Sequence, residues 1–411
     1  MKKIALIHYA YPPKMGGVER LIREHALILA DKGYEVAVFA GSGAESDPKI
    51  AFKEIPEFAA LRRFDPSLQD HIISGGQIND AFSRLAGQIE STLEQNLKDR
   101  DVIIVHNMMT LIHNMPFVAA FKSYSQKHPE KKIIIWVHDQ TFIDNGRVVD
   151  PKPGITLDTK IRELLITPML QANYVVISET FKKLLTQIMQ IARVKLLVIP
   201  DGLHIKRFLE IDDAIWDIVQ KERILEAFPI ILTPVNILER KNLDYCLDVV
   251  SELVRDYPNL RYIISGQPSE HRDTAGYFQT LKKKVTDLSL GNHVFFLAEH
   301  VKRALTDQEL HDLYDIADLV FYFSKQENFG LPILEAGLTK TPIWVSDLAV
   351  FHEIGGNQLT YVPTTHTPQQ LATQAHEYLE TVPGIGLNRL VRTQYSLETI
   401  IINRLIPLIE G

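Results

Sequence analysis

The sequence predicts an α/β protein built from two doubly wound, Rossmann-like domains. Near the start of the chain, apolar runs at 4–8 and 35–40 flank a helical segment that ends near Lys32, the pattern of a strand–helix–strand unit. Such units form parallel sheets, because two parallel strands need a long crossover between them. The second half of the chain repeats this alternation from residue 230 onward. With 411 residues, the chain is long enough for about two or three domains with their own cores.

Short apolar runs bounded by turn residues predict the other strands. They lie at 101–105, 133–137, 174–177, 195–199, 230–235, 261–265, 294–297 and 318–324. Residues 77–97 have helical periodicity, whereas residues 45–75 show none and are predicted to be irregular. The stretch 140–160 is longer than most connections, which favours a binding role.

Composition excludes several classes of protein. The formal net charge of −7 argues against a general nucleic-acid binder, which would normally be basic. The single cysteine, Cys246, excludes an intrachain disulfide and a cysteine metal cluster, and its apolar helical surroundings predict a buried structural thiol. No stretch approaches the ~18 apolar residues of a membrane span. A cytoplasmic protein is expected.

The most informative stretch is 327–337, ENFGLPILEAG. It follows the predicted strand 318–324, and its proline stands where a first helical turn tolerates one. The loop offers backbone N–H groups at a helix N-terminus, where a phosphate is stabilised. Two flanking carboxylates, Glu327 and Glu335, suit hydroxyl donors. Phosphate together with many hydroxyls indicates a sugar nucleotide.

This stretch resembles the donor-binding motif of retaining glycosyltransferases of family 4, which have the GT-B fold. The resemblance implies two doubly wound domains facing a cleft. No metal is expected, because the sequence has no paired-aspartate motif and no His/Cys cluster in a plausible ligand arrangement, and no cofactor is expected besides the nucleotide-diphosphate sugar that serves as donor. The resemblance also implies that Glu327 contacts hydroxyls of the transferred sugar and that Glu335 holds the ribose hydroxyls of the nucleotide. The intervening loop residues bind the donor as well: Asn328, Phe329, Gly330 and Leu331.

Three further loops resemble donor-binding segments of the family. Gly16-Gly17, after the first strand, corresponds to the loop whose amides lie against the donor diphosphate and the acceptor. Arg240-Lys241 corresponds to the phosphate-binding loop, and Lys241 is predicted to act in catalysis. It is also predicted to stand at a helix start, where a lysine is unfavourable unless an anion binds beside it. Asn236 stands where many members have an arginine, a departure that either weakens binding of the diphosphate or moves part of that binding to Arg240. Gly266 follows the strand 261–265 and is predicted to face the nucleotide.

Two predicted strands of the first domain end in histidine, at the edge where open α/β sheets bind ligands. His138 resembles the strand-end histidine of the family, which reaches the transferred sugar and the leaving diphosphate, and it is assigned to catalysis. The acceptor is predicted to contact His106, Asn107 and Asp139.

The resemblance extends over nearly the whole chain and suggests its domain organisation. The acceptor domain is predicted at 1–200 and the nucleotide-sugar domain at 201–390, with the crossing at the Pro-Asp-Gly turn of 200–202. Residues 391–411, with a closing helix at 397–409, are predicted to return to the first domain. HNMMTL, WVHD and ERKN most resemble a bacterial group of mannosylglucosylglycerate synthase-like enzymes, which glycosylate glucosylglycerate-type solutes.

The implied reaction is transfer of a hexose from a nucleotide-diphosphate sugar to an acceptor hydroxyl, with retention of configuration. The leaving phosphate takes the acceptor proton, so no protein base is needed. The acceptor is expected to be a sugar, a glycerate-type compound or a lipid-linked molecule, with contact to a membrane surface not indicated.

Three alternatives stay open. A non-hydrolysing sugar-nucleotide epimerase would isomerise the donor without acceptor, and a carbohydrate phosphorylase would show the absorbance of a pyridoxal cofactor. A non-catalytic nucleotide-sugar-binding protein would bind donor and release no nucleoside diphosphate.

Overall fold

The apolar runs form two parallel sheets, one in each unit of the chain. The computed structural model describes residues 2–13, 16–44, 47–151, 154–189, 195–268, 275–363 and 365–411. Unit 1 consists of Met1–Gly202 and Leu397–Gly411, and unit 2 of Leu203–Ser396. The two-sheet α/β architecture predicted from the sequence is confirmed.

The seven-stranded sheet of unit 1 has the order β3-β2-β1-β4-β5-β8-β9, with all neighbouring strands parallel. Its strands are β1 Lys3–His8, β2 Glu35–Ala40, β3 Ala51–Glu54, β4 Val102–His106, β5 Lys132–Val137, β8 Asn173–Val176 and β9 Lys195–Val198. A separate antiparallel hairpin pairs β6 Ile143–Asp144 with β7 Arg147–Val148, inside the long stretch 140–160, of which residues 152–153 lie outside the described residues.

Successive residues of each central strand point to opposite faces of this sheet, and helices pack against both faces. Ile4 and Leu6 of β1 belong to one hydrophobic cluster, while Ala5 and Ile7 belong to the other. The helices of unit 1 are α1 Gly17–Asp31, α2 Leu61–Phe64, α3 Pro66–Ile73, α4 Asp80–Leu97, α5 Met115–Lys127, α6 Thr159–Ile166, α7 Glu179–Ile188 and, from the C-terminal segment, α17 Leu397–Ile400 and α18 Ile406–Glu410.

Unit 2 repeats the design with the parallel order β12-β11-β10-β13-β14-β15. Its strands are β10 Ile230–Thr233, β11 Arg261–Ile264, β12 Val294–Phe296, β13 Leu319–Tyr322, β14 Ile343–Ser346 and β15 Thr360–Val362. Its helices are α8 Ile205–Leu209, α9 Asp213–Lys221, α10 Leu243–Leu253, α11 Ala275–Asp287, α12 Asp307–Ile316, α13 Leu331–Thr339, α14 Ala349–Gly355, α15 Pro368–Thr381 and α16 Pro383–Gln394. Cys246 is fully buried on α10, and burial raises the pKa of its thiol to about 12.

The prediction that residues 45–75 are irregular is wrong. This stretch contains β3 and two short helices, α2 and α3. The Asp65 side chain accepts a hydrogen bond from the N–H of Leu68, and Pro66 begins α3. Elements of four to eight residues are too short to show periodicity, so only the Asp-Pro start was visible in the sequence.

The C-terminal segment leaves unit 2 later than the predicted residue 390, at Ser396. Arg392 explains the difference, because its guanidinium donates to both carboxylate oxygens of Asp318, at 2.9 and 2.7 Å, and holds α16 in unit 2. The closing helix is also less regular than predicted: a π-helical turn, Ile401–Leu405, separates α17 from α18. Pro407 lies in α18 and has no N–H to donate, which favours the local irregularity.

We expect Arg392→Leu to destabilise the protein by about 3–5 kcal/mol, because it leaves the Asp318 carboxylate buried without its cation. Arg392 and Asp318 are 4% and 3% exposed. Urea unfolding of the full chain measures the change. The control is Arg255→Leu, which removes a cation whose side chain is 71% exposed and should cost less than about 1 kcal/mol. Equal effects of the two substitutions would contradict the expectation.

Candidate functional site

In unit 2, the predicted donor-binding residues gather where the strand order reverses. Strands β10 and β13 are neighbours, and the chain leaves them toward opposite sides of the sheet. The loops after their carboxyl ends therefore meet at the topological switch point, where α/β sheets bind ligands. The N–H of Lys325 donates to the carbonyl of Arg240 at 2.7 Å, which joins the two loops directly.

Glu327 brings two predicted site residues, Arg240 and Lys241, together. One of its carboxylate oxygens accepts from Lys241 Nζ, and the other accepts from Arg240 Nη1 at 2.7 Å. The side chains of Lys241 and Glu327 are 10% and 9% exposed, whereas Arg240 is 40% exposed. Lys241 is thus the inner cation of a cluster with two positive charges and one negative charge.

The structure changes the explanation for a lysine at position 241. The sequence suggested a lysine at a helix start, stabilised by a docked anion. Lys241 instead ends the 3₁₀ turn Glu239–Lys241, and α10 begins only after Asn242. The anion beside it in this structure is the carboxylate of Glu327.

Burial and the neighbouring charge have opposite effects on the pKa values of Lys241 and Glu327. Burial lowers the pKa of Lys241, and Glu327 offsets part of that shift. Burial alone would raise the pKa of Glu327, but hydrogen bonds, first among them that from Lys241, hold this pKa below its usual value. The Glu327 carboxylate is therefore charged near neutral pH.

Tyr322, the last residue of β13, completes this cluster and was not predicted. Lys241 Nζ lies 5.2 Å from the centre of its ring, within range of a cation–π contact. Burial, followed by the charge of Glu327, raises the pKa of Tyr322, so the phenol stays neutral. In the sequence, only its place near the carboxyl end of the predicted strand 318–324 indicated that Tyr322 could belong to the site.

The loop 327–331 leads into the N-terminus of α13 as predicted. Gly330 is the N-cap of α13, and no side chain caps this helix. A β-carbon on Gly330 would lie 2.9 Å from a ring carbon of Phe351, so close packing requires glycine here. Asn328, Phe329 and Leu331 are exposed. The uncapped helix end favours an anion.

Glu335 lies apart from the cluster of cations. Its carboxylate accepts a hydrogen bond of 2.7 Å from the hydroxyl of Tyr314 on α12. Burial, followed by this carboxylate, raises the pKa of Tyr314, which keeps the phenol a donor. Nothing in the sequence pointed to Tyr314, because it lies inside a helix 21 residues before its partner.

Two other predicted donor residues of unit 2 have distinct environments. Asn236 is exposed in the loop after β10. Gly266, after β11, packs so closely that a β-carbon would overlap the backbone of Val235 and Asn236. The need for glycine at 266 is thus explained by contact within the protein.

In unit 1, the ends of β4 and β5 form a second group. The Asn107 side-chain oxygen accepts from the N–H groups of His138 and Asp139, at 3.1 and 2.7 Å, and its amide nitrogen donates to Asp139 Oδ2 at 3.0 Å. Asn107 is 6% exposed and has a φ of 55°. The side chain of Asn107 makes hydrogen bonds that join the ends of β4 and β5. Of Asn107 and Asp139, only the exposed Asp139 can therefore contact an acceptor.

His106 lies behind His138 and is fully buried. Its ring stacks on Trp136 at 5.3 Å and on His138 at 5.8 Å between centroids. His25 of α1 lies 5.5 Å from the His106 ring. Burial lowers the pKa of His106 well below its usual value and that of His25 to about 3, so both rings are neutral. The side chain of His106 therefore supports the site from within and does not reach an acceptor.

Gly16 and Gly17 stand at the N-terminus of α1, where Gly16 is the N-cap. A β-carbon on Gly16 would overlap the carboxylate of Glu19, which folds back toward the helix end. This carboxylate also lies 3.8 Å from His8 Nε2. His8 lowers the pKa of Glu19, against a smaller opposing effect of burial. In both units a carboxylate of the protein thus lies where a phosphate was predicted.

Among the described residues, no group of three or more His, Cys, Asp or Glu could hold a metal ion. Within the same residues, no helix has the length and apolar character needed to span a membrane.

Parts of the chain are similar to known proteins. Residues 214–383, most of unit 2, match the family model described as glycosyl transferases group 1. The O-antigen chain mannosyltransferase RfbU of Salmonella typhimurium is 41% identical over 86 residues, which are 21% of this chain and 23% of that protein. Mannosylglucosylglycerate synthase of Thermotoga maritima is 25% identical over 375 residues, covering 85% of this chain and 81% of that protein.

A solved structure is similar over the full length. Sucrose-phosphate synthase from Thermosynechococcus elongatus covers 100% of this chain and 99% of its own, with 16% identity and a TM-score of 0.39. This likeness is too distant to inform on substrates.

Proposed function

We propose that this chain is a glycosyltransferase that transfers a hexose from a nucleotide-diphosphate sugar to an acceptor hydroxyl, with retention. The match of residues 214–383 to the glycosyl transferases group 1 model supports this proposal. The observation that carries the proposal is the cluster of Arg240, Lys241 and Glu327 beside the uncapped end of α13. Two cations and free helix N–H groups suit a diphosphate, and the carboxylates suit hydroxyls.

In this proposal the donor exchanges partners with Glu327. The diphosphate takes the place of the carboxylate beside Lys241, and Glu327 then accepts hydrogen bonds from hydroxyls of the transferred sugar. Glu335, held by Tyr314 at a distance from the cations, accepts from the ribose. Asn328, Phe329 and Leu331 are exposed and available to the donor.

The bond between the anomeric carbon and the phosphate oxygen breaks as the acceptor oxygen bonds to the same face of that carbon. The acceptor proton goes to the departing phosphate, so no protein base is required. Lys241 and Arg240 stabilise the negative charge that develops on the leaving group. We assign His138 to the transferred sugar and Asp139 to the acceptor.

The relatives favour mannose as the transferred hexose, because both are named for mannosyl transfer or mannosyl products. We propose a sugar, a glycerate-type compound or a lipid-linked molecule as acceptor.

A donor screen followed by product analysis tests the proposal. UDP, GDP and ADP sugars are first compared by thermal shift, where a ligand at ~100 times its dissociation constant adds about 2.7 kcal/mol. The stabilising donor is then incubated with candidate acceptors, and NMR identifies the products. We expect nucleoside diphosphate and an α-linked glycoside from an α-linked donor. Isomerised donor without acceptor would indicate an epimerase, and binding without release of nucleoside diphosphate would indicate a sensor; either result overturns the proposal.

We predict that activity survives chelation, because Arg240 and Lys241 can neutralise the phosphates. Initial rates are measured before and after addition of EDTA, with free nucleotide-sugar concentrations held equal. The expected change is less than about twofold. Loss of turnover in EDTA, restored by magnesium or manganese, would contradict the prediction.

A further inference from the structure

Asp201 lies beside His138, although 63 positions separate the two residues in the sequence. His138 Nδ1 is 3.5 Å from Asp201 Oδ2. His138 follows β5 and Asp201 follows β9, and β8 is the only strand between them in the sheet. The carboxyl ends of parallel strands share one edge, which brings the residues together.

Three other histidines lie near the His138 ring, on β4, α1 and β1. His106 of β4 stacks on one side, His25 of α1 lies beyond it, and both are uncharged. His8 of β1 lies further away and interacts with the carbonyl of His106 at 2.8 Å. Asp201, with a side chain 44% exposed, is therefore the carboxylate that faces the ring itself.

The backbone of His138 is already fixed by Asn107, as described above. A further contact can therefore determine only the rotation of the imidazole and the position of its proton. Nε2 of His138 has no hydrogen-bond partner among the described residues, and the side chain is only 6% exposed. A nearly buried ring nitrogen of this kind needs a partner, and a ligand hydroxyl would supply it.

We propose that Asp201 is a positioning residue: its carboxylate accepts the Nδ1–H of His138, which fixes the ring and leaves Nε2 as an acceptor for a sugar hydroxyl. The neutral ring has one donor and one acceptor nitrogen, so the partner of one decides the role of the other. The distance of 3.5 Å exceeds an ordinary hydrogen bond, and long hydrogen bonds of active-site groups often shorten when substrate binds. The part concerning the sugar hydroxyl rests on the proposed function.

The first test measures which ring nitrogen of His138 carries the proton. Nitrogen NMR of the full chain labelled at histidine gives the tautomer of His138, whose signals are identified by their absence from His138→Gln. We expect the Nδ1–H form in the unsubstituted protein and a mixed population in Asp201→Ala, with Asp287→Ala as control, because Asp287 is exposed on α11 in unit 2. An Nε2–H form in the unsubstituted protein, or a ratio unchanged by Asp201→Ala, would overturn the proposal.

The second test asks whether Asp201 acts through His138. Asp201→Ala should lower kcat/KM by roughly ten- to a hundredfold, because misplacement of a substrate-contacting group is costly. In a His138→Gln background the same substitution should change it by less than about twofold. Equal losses in both backgrounds would overturn the role.

The two tests also separate this inference from the proposed function. If the unsubstituted protein turns over no donor, the proposed function fails, while the tautomer measurement still decides whether Asp201 orients the ring. If Asp201→Ala does not fold, Asp201→Asn is used in both tests, since an amide can donate to Nδ1 and is expected to shift the tautomer.

Discussion

Lys241→Ala is expected to lower turnover by more than about tenfold, which corresponds to at least ~1.4 kcal/mol of transition-state stabilisation. The side chain is 10% exposed, so its charge acts in a medium that screens less than water. Its neighbour Asn236 brings no charge, and Arg240 is 40% exposed. Lys241 should therefore carry most of the stabilisation of the leaving diphosphate.

Steady-state rates at saturating acceptor measure this effect. Arg240→Ala should cost less than Lys241→Ala, because its charge is better screened. Asn236→Arg should be tolerated and tighten donor binding, since the side chain is exposed and can extend without displacing the core. Lys283→Ala removes an exposed lysine of α11 and serves as the control. Near-unchanged kinetics for Lys241→Ala would show that the lysine is only the structural partner of Glu327.

The sequence was sufficient for the parts of the fold that depend on local pattern. The central strands β1, β4, β5, β10 and β13 are buried on both faces and therefore read as continuous apolar runs. The glycine loop before α13 was equally visible, because Gly330 and Pro332 indicate a turn followed by a helix start. Short elements such as α2 gave no such signal.

The pairings within the site could not be predicted, because they join residues distant in sequence. Lys241 meets Glu327 across 86 positions, and His138 meets Asp201 across 63. The resemblance assigned Lys241 and Glu327 to different parts of the donor and gave no reason to pair them. Their contact follows from the adjacency of β10 and β13, which only the three-dimensional sheet order reveals.

The contact between Glu327 and Lys241 leads to a second large expected effect. This effect distinguishes the role of Glu327 from that of Glu335. Glu327→Gln should lower turnover by about a hundredfold, because a neutral amide replaces the carboxylate that we propose accepts hydrogen bonds from the sugar hydroxyls. A charge-assisted bond of this kind is worth roughly 1.5–3 kcal/mol. The same substitution should tighten binding of the bare nucleoside diphosphate, because the ligand no longer competes with a carboxylate for Lys241 and Arg240.

Glu335→Gln should behave differently, because Glu335 touches neither cation and accepts from Tyr314 instead. It should weaken binding of the nucleoside diphosphate and of the whole donor by similar factors of about tenfold. Glu353→Gln, at an exposed position of α14, serves as the control for loss of one negative charge in unit 2.

Calorimetric titration with the nucleoside diphosphate and with the donor, for all three variants, distinguishes the roles. Because Glu327 neutralises Lys241 in the structure, its loss leaves a buried cation that a phosphate can pair with, so affinity and turnover should move in opposite directions. If Glu327→Gln instead weakened the bare diphosphate while Glu335→Gln spared it, the roles assigned to the two carboxylates would have to be exchanged. The exchange of partners at Lys241 would then no longer account for how the donor enters.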